Sequence, residues 1–132
     1  MNKKVFLFLG LMMLFSEAVK AAEIKLNQDV DSDFLWNAAI AKTSFMTNIN
    51  ADRESGRIVA GWTEIDNKLY ELNVRILGKE LKPDNVKVRI RERLRSGQGW
   101  SAPQVNMELT SATEAAIFDR ARVLYNNSLN MN

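Results

Sequence analysis

The residues best suited to chemistry lie between positions 86 and 95, in VKVRIRERLR. Lys87, Arg89, Arg91, Arg93 and Arg95 alternate with Val86, Val88, Ile90 and Leu94. A strand turns successive side chains to opposite faces, so this alternation gathers the cations on one face and the apolar residues on the other. On a straight strand they recur about every 7 Å. A guanidinium presents a fork of donors that matches phosphate and carboxylate oxygens, so such a stripe suits an anion. Arg75, on the preceding strand, is placed to join it, and Glu92 falls on the apolar side near the strand end. The same pattern also describes a solvated outer face, neutralised across strands by Glu64, Glu71 or Glu108. It would serve equally to protect an edge against pairing with other chains. Trp100, in Gly97-Gln98-Gly99-Trp100, sits where no apolar periodicity accounts for an indole. It is either a contact residue, tryptophan being enriched at binding hot spots, or a lid over the end of the sheet.

The chain contains neither histidine nor cysteine. This excludes Ser–His–Asp and Cys–His catalysis, disulfides, thiol nucleophiles and cysteine metal sites. An enzyme built from it would depend on carboxylates, Lys or Tyr, and no pair of carboxylates stands out for acid–base work. Asp29, Asp31 and Asp33 alternate like part of a calcium loop but lack its Gly and distal Glu. Helix capping accounts for them better, and Asp52 and Glu54 read as turn residues. Gly97 and Gly99 precede no helix start whose amides would hold a phosphate. The expectation is no catalytic residue, no metal and no cofactor.

Residues 1–22 have the pattern of a secretory leader. Lys3 and Lys4 precede the apolar run Val5–Phe15, and Val19 and Ala21 mark a cleavage site before Ala22. The run is well short of the roughly 20 residues that span a bilayer core. Removing residues 1–21 takes Lys3, Lys4, Lys20 and Glu17 from 18 basic and 16 acidic residues, which leaves a neutral chain. Net charge therefore supplies no argument for nucleic acid; only a local cluster could. Without cysteine there is no lipid attachment, so no covalent membrane anchor is expected. Residues 22–132 suit a single domain able to bury a modest core.

The elements that must position these residues follow from the pattern. Glu23–Asn27 reads as a short edge strand. Asp31 or Ser32 caps a helix running to about Lys42, with Leu35, Ala38 and Ala39 on one face beside Trp36 and Ile40. Residues 43–50, 57–65, 69–77, 86–95 and 104–109 read as strands. Ile58, Ala60 and Trp62 share a face, and Trp36 and Trp62 are expected in the core. Asp66-Asn67 forms a tight hairpin turn. Ser111-Ala112-Thr113-Glu114 fits a capping box opening a second helix. Its apolar stripe is Ile117, Phe118, Ala121, Leu124 and Tyr125, with Asp119, Arg120 and Arg122 facing water. Strands with one apolar face need a cover. The predicted fold is therefore α+β, a two-layer structure with a twisted antiparallel sheet of four to six strands and two helices packed on one face.

The order helix, Phe-containing strand, polar turn, strand over Phe34–Trp62, carried by ADRESGRIVAGW, resembles the globular domain of BamC. That protein is an accessory lipoprotein of the outer-membrane β-barrel assembly machinery. More broadly the order resembles helix-grip domains of small exported bacterial proteins. The resemblance implies an envelope scaffold or accessory role without catalysis and nominates no catalytic residue. The chain departs from it in lacking the acylated cysteine and in having one such domain instead of two. Two functions are carried forward. The first is a non-enzymatic periplasmic or secreted protein that binds another envelope protein. The second is a polyanion-binding module, for nucleic acid or phosphorylated glycolipid, that uses strand 86–95.

Overall fold

The computed structural model describes residues 33–130. The leader, the strand expected at 23–27 and the capping candidates Asp29, Asp31 and Ser32 lie outside the described residues. Helix α1 (Phe34–Thr43) is followed by strands β1 (Ile49–Asp52), β2 (Arg57–Ile65) and β3 (Lys68–Ile76). A 3-10 turn (Pro83–Asn85) leads into β4 (Val86–Arg93). Then come the short strands β5 (Arg95–Ser96), β6 (Gly99–Trp100) and β7 (Gln104–Val105), and helix α2 (Met107–Leu129). The fold is α+β. Five strands form one sheet in the order β1-β2-β3-β4-β7, and β5 and β6 form a separate ribbon. Every pairing is antiparallel.

The alternation seen in the sequence builds the core face. Ile58 and Ala60 of β2, Leu72 and Val74 of β3, and Val86, Val88 and Ile90 of β4 are all buried. Leu35, Ala38 and Ala39 of α1 join them, as do Leu109, Ile117, Ala121 and Leu124 of α2. Each large side chain withdrawn from water in this way stabilises the fold by roughly 1.5–3 kcal/mol. The β2–β3 hairpin turns at Asp66 and Asn67, both with positive φ (53° and 63°), as expected for a two-residue connection. Tyr70 is buried on the same face, opposite Glu92. Burial pushes its phenol up to about 12, with the charges of Glu92 and Asp66 adding to the effect.

Several local expectations are corrected. The strand expected over residues 43–50 begins only at Ile49. Thr43 instead closes α1, its hydroxyl donating to the Ala39 carbonyl at 2.7 Å. Asn48, with φ of 55°, then redirects the chain. Strand 86–95 stops at Arg93, because the Leu94 N–H donates to Ser101 Oγ at 2.9 Å and not to a neighbouring strand. Asp33 stands at the N-cap of α1 but makes no capping hydrogen bond. Its buried carboxylate accepts from Arg53 Nε at 3.1 Å and Nη2 at 2.9 Å.

The second helix begins earlier than the capping box suggests. Asn106 is the cap, accepting from the Leu109 N–H at 2.9 Å, so Met107–Leu109 is helix and not strand. Ser111 is exposed inside the helix, and Arg120 is buried where solvent was expected. The physical reason is the edge of β4. β7 pairs with it only at Arg91 and Glu92. Farther along, the Val88 N–H donates to Glu114 Oε2 at 2.9 Å and the Ile90 N–H to Thr110 Oγ1 at 3.0 Å. Glu114, the acidic end of the expected box, serves the sheet instead of the helix terminus.

β2 carries the most consequential irregularity. Ala60 pairs with Leu72 but Thr63 with Tyr70, so Gly61 and Trp62 together face Glu71. This bulge shifts the alternation by one residue. Thr63 takes the core-side register and Trp62 turns to the outer face. The expectation that Trp62 lies in the core is therefore wrong.

Gly56 has φ of +70°, and a Cβ there would lie 2.2 Å from the Ile76 carbonyl oxygen, on backbone that cannot yield. Gly97 has φ of +61° with nothing within 4 Å. Gly56→Ala should destabilise by about 2–3 kcal/mol or more, and Gly97→Ala by only about 1 kcal/mol. Urea melts of the pair separate the clash from the conformational penalty they share. For α2, Asn106→Ala should cost on the order of 1 kcal/mol. Ser111→Ala should stay within about 0.5 kcal/mol. The reverse order in thermal melts would restore the capping box.

Candidate anion-binding face of the sheet

The face opposite the core is assembled by register. Arg57 of β2 stands directly across from Arg75 of β3, and Arg75 across from Lys87 of β4. One step along, Asn73 faces Arg89; a further step pairs Glu71 with Arg91, and the next pairs Leu69 with Arg93. The expected ladder does alternate outward over Lys87, Arg89, Arg91 and Arg93. It does not act as one unit, because its two ends differ in chemistry.

The end toward β5 is internally satisfied. Arg91 binds Glu71 Oε1 through Nε and Nη2, both at 2.6 Å. Trp62, brought outward by the bulge, lies under two guanidinium groups, Arg91 at 5.6 Å and Arg93 at 5.5 Å from its ring centroid. Arg93 Nε also donates to the Ser101 carbonyl at 2.9 Å. Arg95 stacks on Trp100 at 4.0 Å, donates to Asn67 Oδ1 at 3.3 Å and lies 3.9 Å from Glu64. Stacked with Arg95 on the ribbon, Trp100 has a place in the fold that its sequence context did not reveal. Of the carboxylates considered as neutralisers, Glu71 and Glu64 reach cations. Among the described residues, Glu108 forms no ion pair with the ladder.

The other end is open. Arg57, Asn73, Arg75, Lys87, Val88 and Arg89 line a concavity of about 330 Å³. The four cations are exposed, and among the described residues no carboxylate pairs with any of them. Arg57 was missed in the sequence because it is an isolated cation at the start of its strand; only the hairpin register brings it to Arg75. Arg75 also borders a second hollow of about 320 Å³, formed with Asp33, Trp36, Arg53 and the Glu54–Gly56 turn. Asp33 there is already held by Arg53; Glu54 is a turn residue, as expected, whereas Asp52 ends β1 and accepts the Glu54 N–H on its Oδ1 at 3.2 Å. Among the described residues no group of three or more acidic side chains is placed to hold a metal ion.

Like charges directly opposite across strands destabilise by roughly 0.2–1 kcal/mol each. Arg75 has such a neighbour on both sides. Arg75→Gln should accordingly raise stability by about 0.5–1 kcal/mol. Arg91→Gln, which removes a half-buried ion pair and a contact with Trp62, should lower it by about 1 kcal/mol. Paired urea melts check the opposite signs. A loss at both positions would show that the cations of the open end are held by contacts within the fold.

A family model described as a domain of unknown function, DUF3576, matches residues 29–126. The chain is also 26% identical over 117 residues to an uncharacterized protein of Rickettsia prowazekii, RP420. That alignment covers 86% of this chain and 67% of the relative. No solved structure matches the chain.

Proposed function

The chain belongs to the DUF3576 family, and we propose that it is a non-enzymatic exported binding module, an accessory protein of the bacterial cell envelope. The observation that carries this reading is the division of labour across the sheet. One face is committed to the core. The other presents cations and tryptophan in a fixed register. A face so ordered, without histidine or cysteine anywhere in the chain, suits recognition better than covalent chemistry. The leader pattern of residues 1–22 supports export to the periplasm or beyond, and the resemblance of Phe34–Trp62 to BamC-like domains supports the accessory role.

The polyanion reading, which uses strand 86–95 as one run, has less support. A long polyanion would need Arg91, Arg93 and Arg95 free to meet successive phosphates. Arg91 is bound to Glu71, Arg93 to the Ser101 carbonyl, and Arg95 to Asn67 beside Trp100.

The test has two parts. The full chain, expressed with its leader in a Gram-negative host, should appear in the periplasmic or secreted fraction and start at Ala22 on N-terminal sequencing. An intact Met1 in the membrane fraction would overturn the export assignment. The mature chain should then retain an envelope component on an affinity column, and Arg89→Glu should release it while leaving the thermal melt intact. Capture that is indifferent to Arg89→Glu would remove the outer face from the function.

A further inference from the structure

We propose that the open end of the outer face is a binding site for a compact phosphorylated anion carrying two or more negative charges, held by Arg57, Arg75, Lys87 and Arg89 around Asn73. The proposal rests on the outer face being the recognition surface and names what it recognises.

The geometry sets the size of the ligand. Arg57, Arg75 and Lys87 form a row across three strands, and neighbouring strands lie about 4.8 Å apart. Arg89 lies two residues beyond Lys87, about 7 Å along the strand. The cations therefore bracket a patch only two strand spacings wide and one side-chain repeat long, with Asn73 inside it opposite Arg89. The half-buried Asn73 amide adds a donor at the centre. A hollow of about 330 Å³ is at the lower end of the range for small-molecule sites, which begins near 300 Å³. It suits a pair of phosphoryl groups.

The charge balance sets the sign and number. No carboxylate among the described residues offsets these cations, whereas Arg91, the next cation of the ladder, is neutralised by Glu71 at 2.6 Å. Positive charge is thus concentrated at the patch and interrupted beyond it. Arginine forks bind phosphate oxygens two at a time, and three of the four cations are arginine.

The aromatic residues argue against single-stranded nucleic acid. Such ligands are held by bases stacking on aromatic rings beside the basic groove. Trp62 and Trp100 already stack with arginines, and both lie on the far side of the Glu71–Arg91 pair. No aromatic residue lines the hollow itself.

One phosphoryl chemistry serves two sources, a free diphosphate and a phosphorylated lipid headgroup. Calorimetry with inorganic pyrophosphate tests the site directly, at low salt and again at 0.15 M. Cosedimentation with phosphatidylcholine vesicles, with and without phosphatidic acid, separates the sources. Pyrophosphate should bind. Arg75→Gln and Arg57→Gln should each weaken it about tenfold or more, while Arg122→Gln on α2 leaves it unchanged. Cosedimentation only with phosphatidic acid, lost in the same variants, would assign the headgroup; pyrophosphate binding without cosedimentation would assign the free anion. Thermal melts of the variants show that the fold persists. Pyrophosphate affinity equal in the wild type and in both site variants would overturn the proposal. So would tighter binding of a single-stranded oligonucleotide that is lost in Trp62→Ala. If pyrophosphate fails while envelope capture still depends on Arg89, the compact-anion assignment falls and the binding-module reading stands. If capture also ignores Arg89, both fall.

Discussion

β4 has more backbone to satisfy along its outer edge than β7 supplies, since β7 pairs with it only at Arg91 and Glu92. A buried N–H or carbonyl left without a partner costs about as much as several buried methylenes return. The edge therefore needs donors and acceptors from elsewhere, and the start of α2 provides them. Asn106 donates its N–H to the Ile90 carbonyl at 2.8 Å, Thr110 accepts from Ile90, and Glu114 accepts from Val88. Those contacts fix the roll of the helix. Leu109, Ile117 and Leu124 are then carried into the core, where α1 packs against them. With both helices engaged on the core side and the β4 edge, no helix among the described residues covers the opposite face of the sheet. The recognition surface is what this arrangement leaves over.

That surface is divided by a single carboxylate. Glu71 stands opposite Arg91, and the bulge one strand away places Trp62 beside the same arginine. Stacking and ion pairing hold this end together and fix the directions of Arg91 and Arg93. Asn73, one outward position along β3 from Glu71, offers no charge, and Arg75, the next, adds one of the same sign. Along one strand the outward residues thus run acidic, neutral, basic. This gradient separates a bonded end from a repelling one, and it comes from β3 more than from the basic strand that first draws attention.

Much of the fold was legible because period-two alternation is a strong signal where one face is buried. The strands read at 69–77 and 86–95 lie within two residues of Lys68–Ile76 and Val86–Arg93, and the Asp66-Asn67 turn follows from the tolerance of both residues for positive φ. The failures share a cause: in each, a tertiary partner outweighed a local pattern. Ser111–Glu114 satisfies the capping-box pattern, yet Glu114 is drawn to β4 and Asn106 caps the helix. Trp62 follows the alternation of Ile58 and Ala60 in the sequence, but the bulge intervenes, and Gly61, a glycine inside a strand pattern, is the one residue type that signals it. The site was half legible. The ladder was visible, and Arg75 was placed beside it. The identity of its unneutralised end depends on which strands are neighbours and in what register, which turned Arg57 from an isolated residue into the third member of a row.

The repelling row bears on stability as well as on binding. Two direct like-charge oppositions amount to about 0.4–2 kcal/mol by the usual magnitude of such pairs. A domain of this size has about 5–15 kcal/mol in total, so the fold can carry the row without a ligand, though not without effect. An anion seated among Arg57, Arg75 and Lys87 would relieve the repulsion. It would also bind the folded state in preference to the unfolded chain, where these residues are far apart. Any ligand with that preference raises stability in proportion to the logarithm of its concentration relative to its Kd. Occupancy and stability are thus linked through the same residues. The bonded end, with Glu71, Trp62 and Arg91 already satisfied, should be insensitive to that occupancy, and it serves as the fixed rim against which the open end is held.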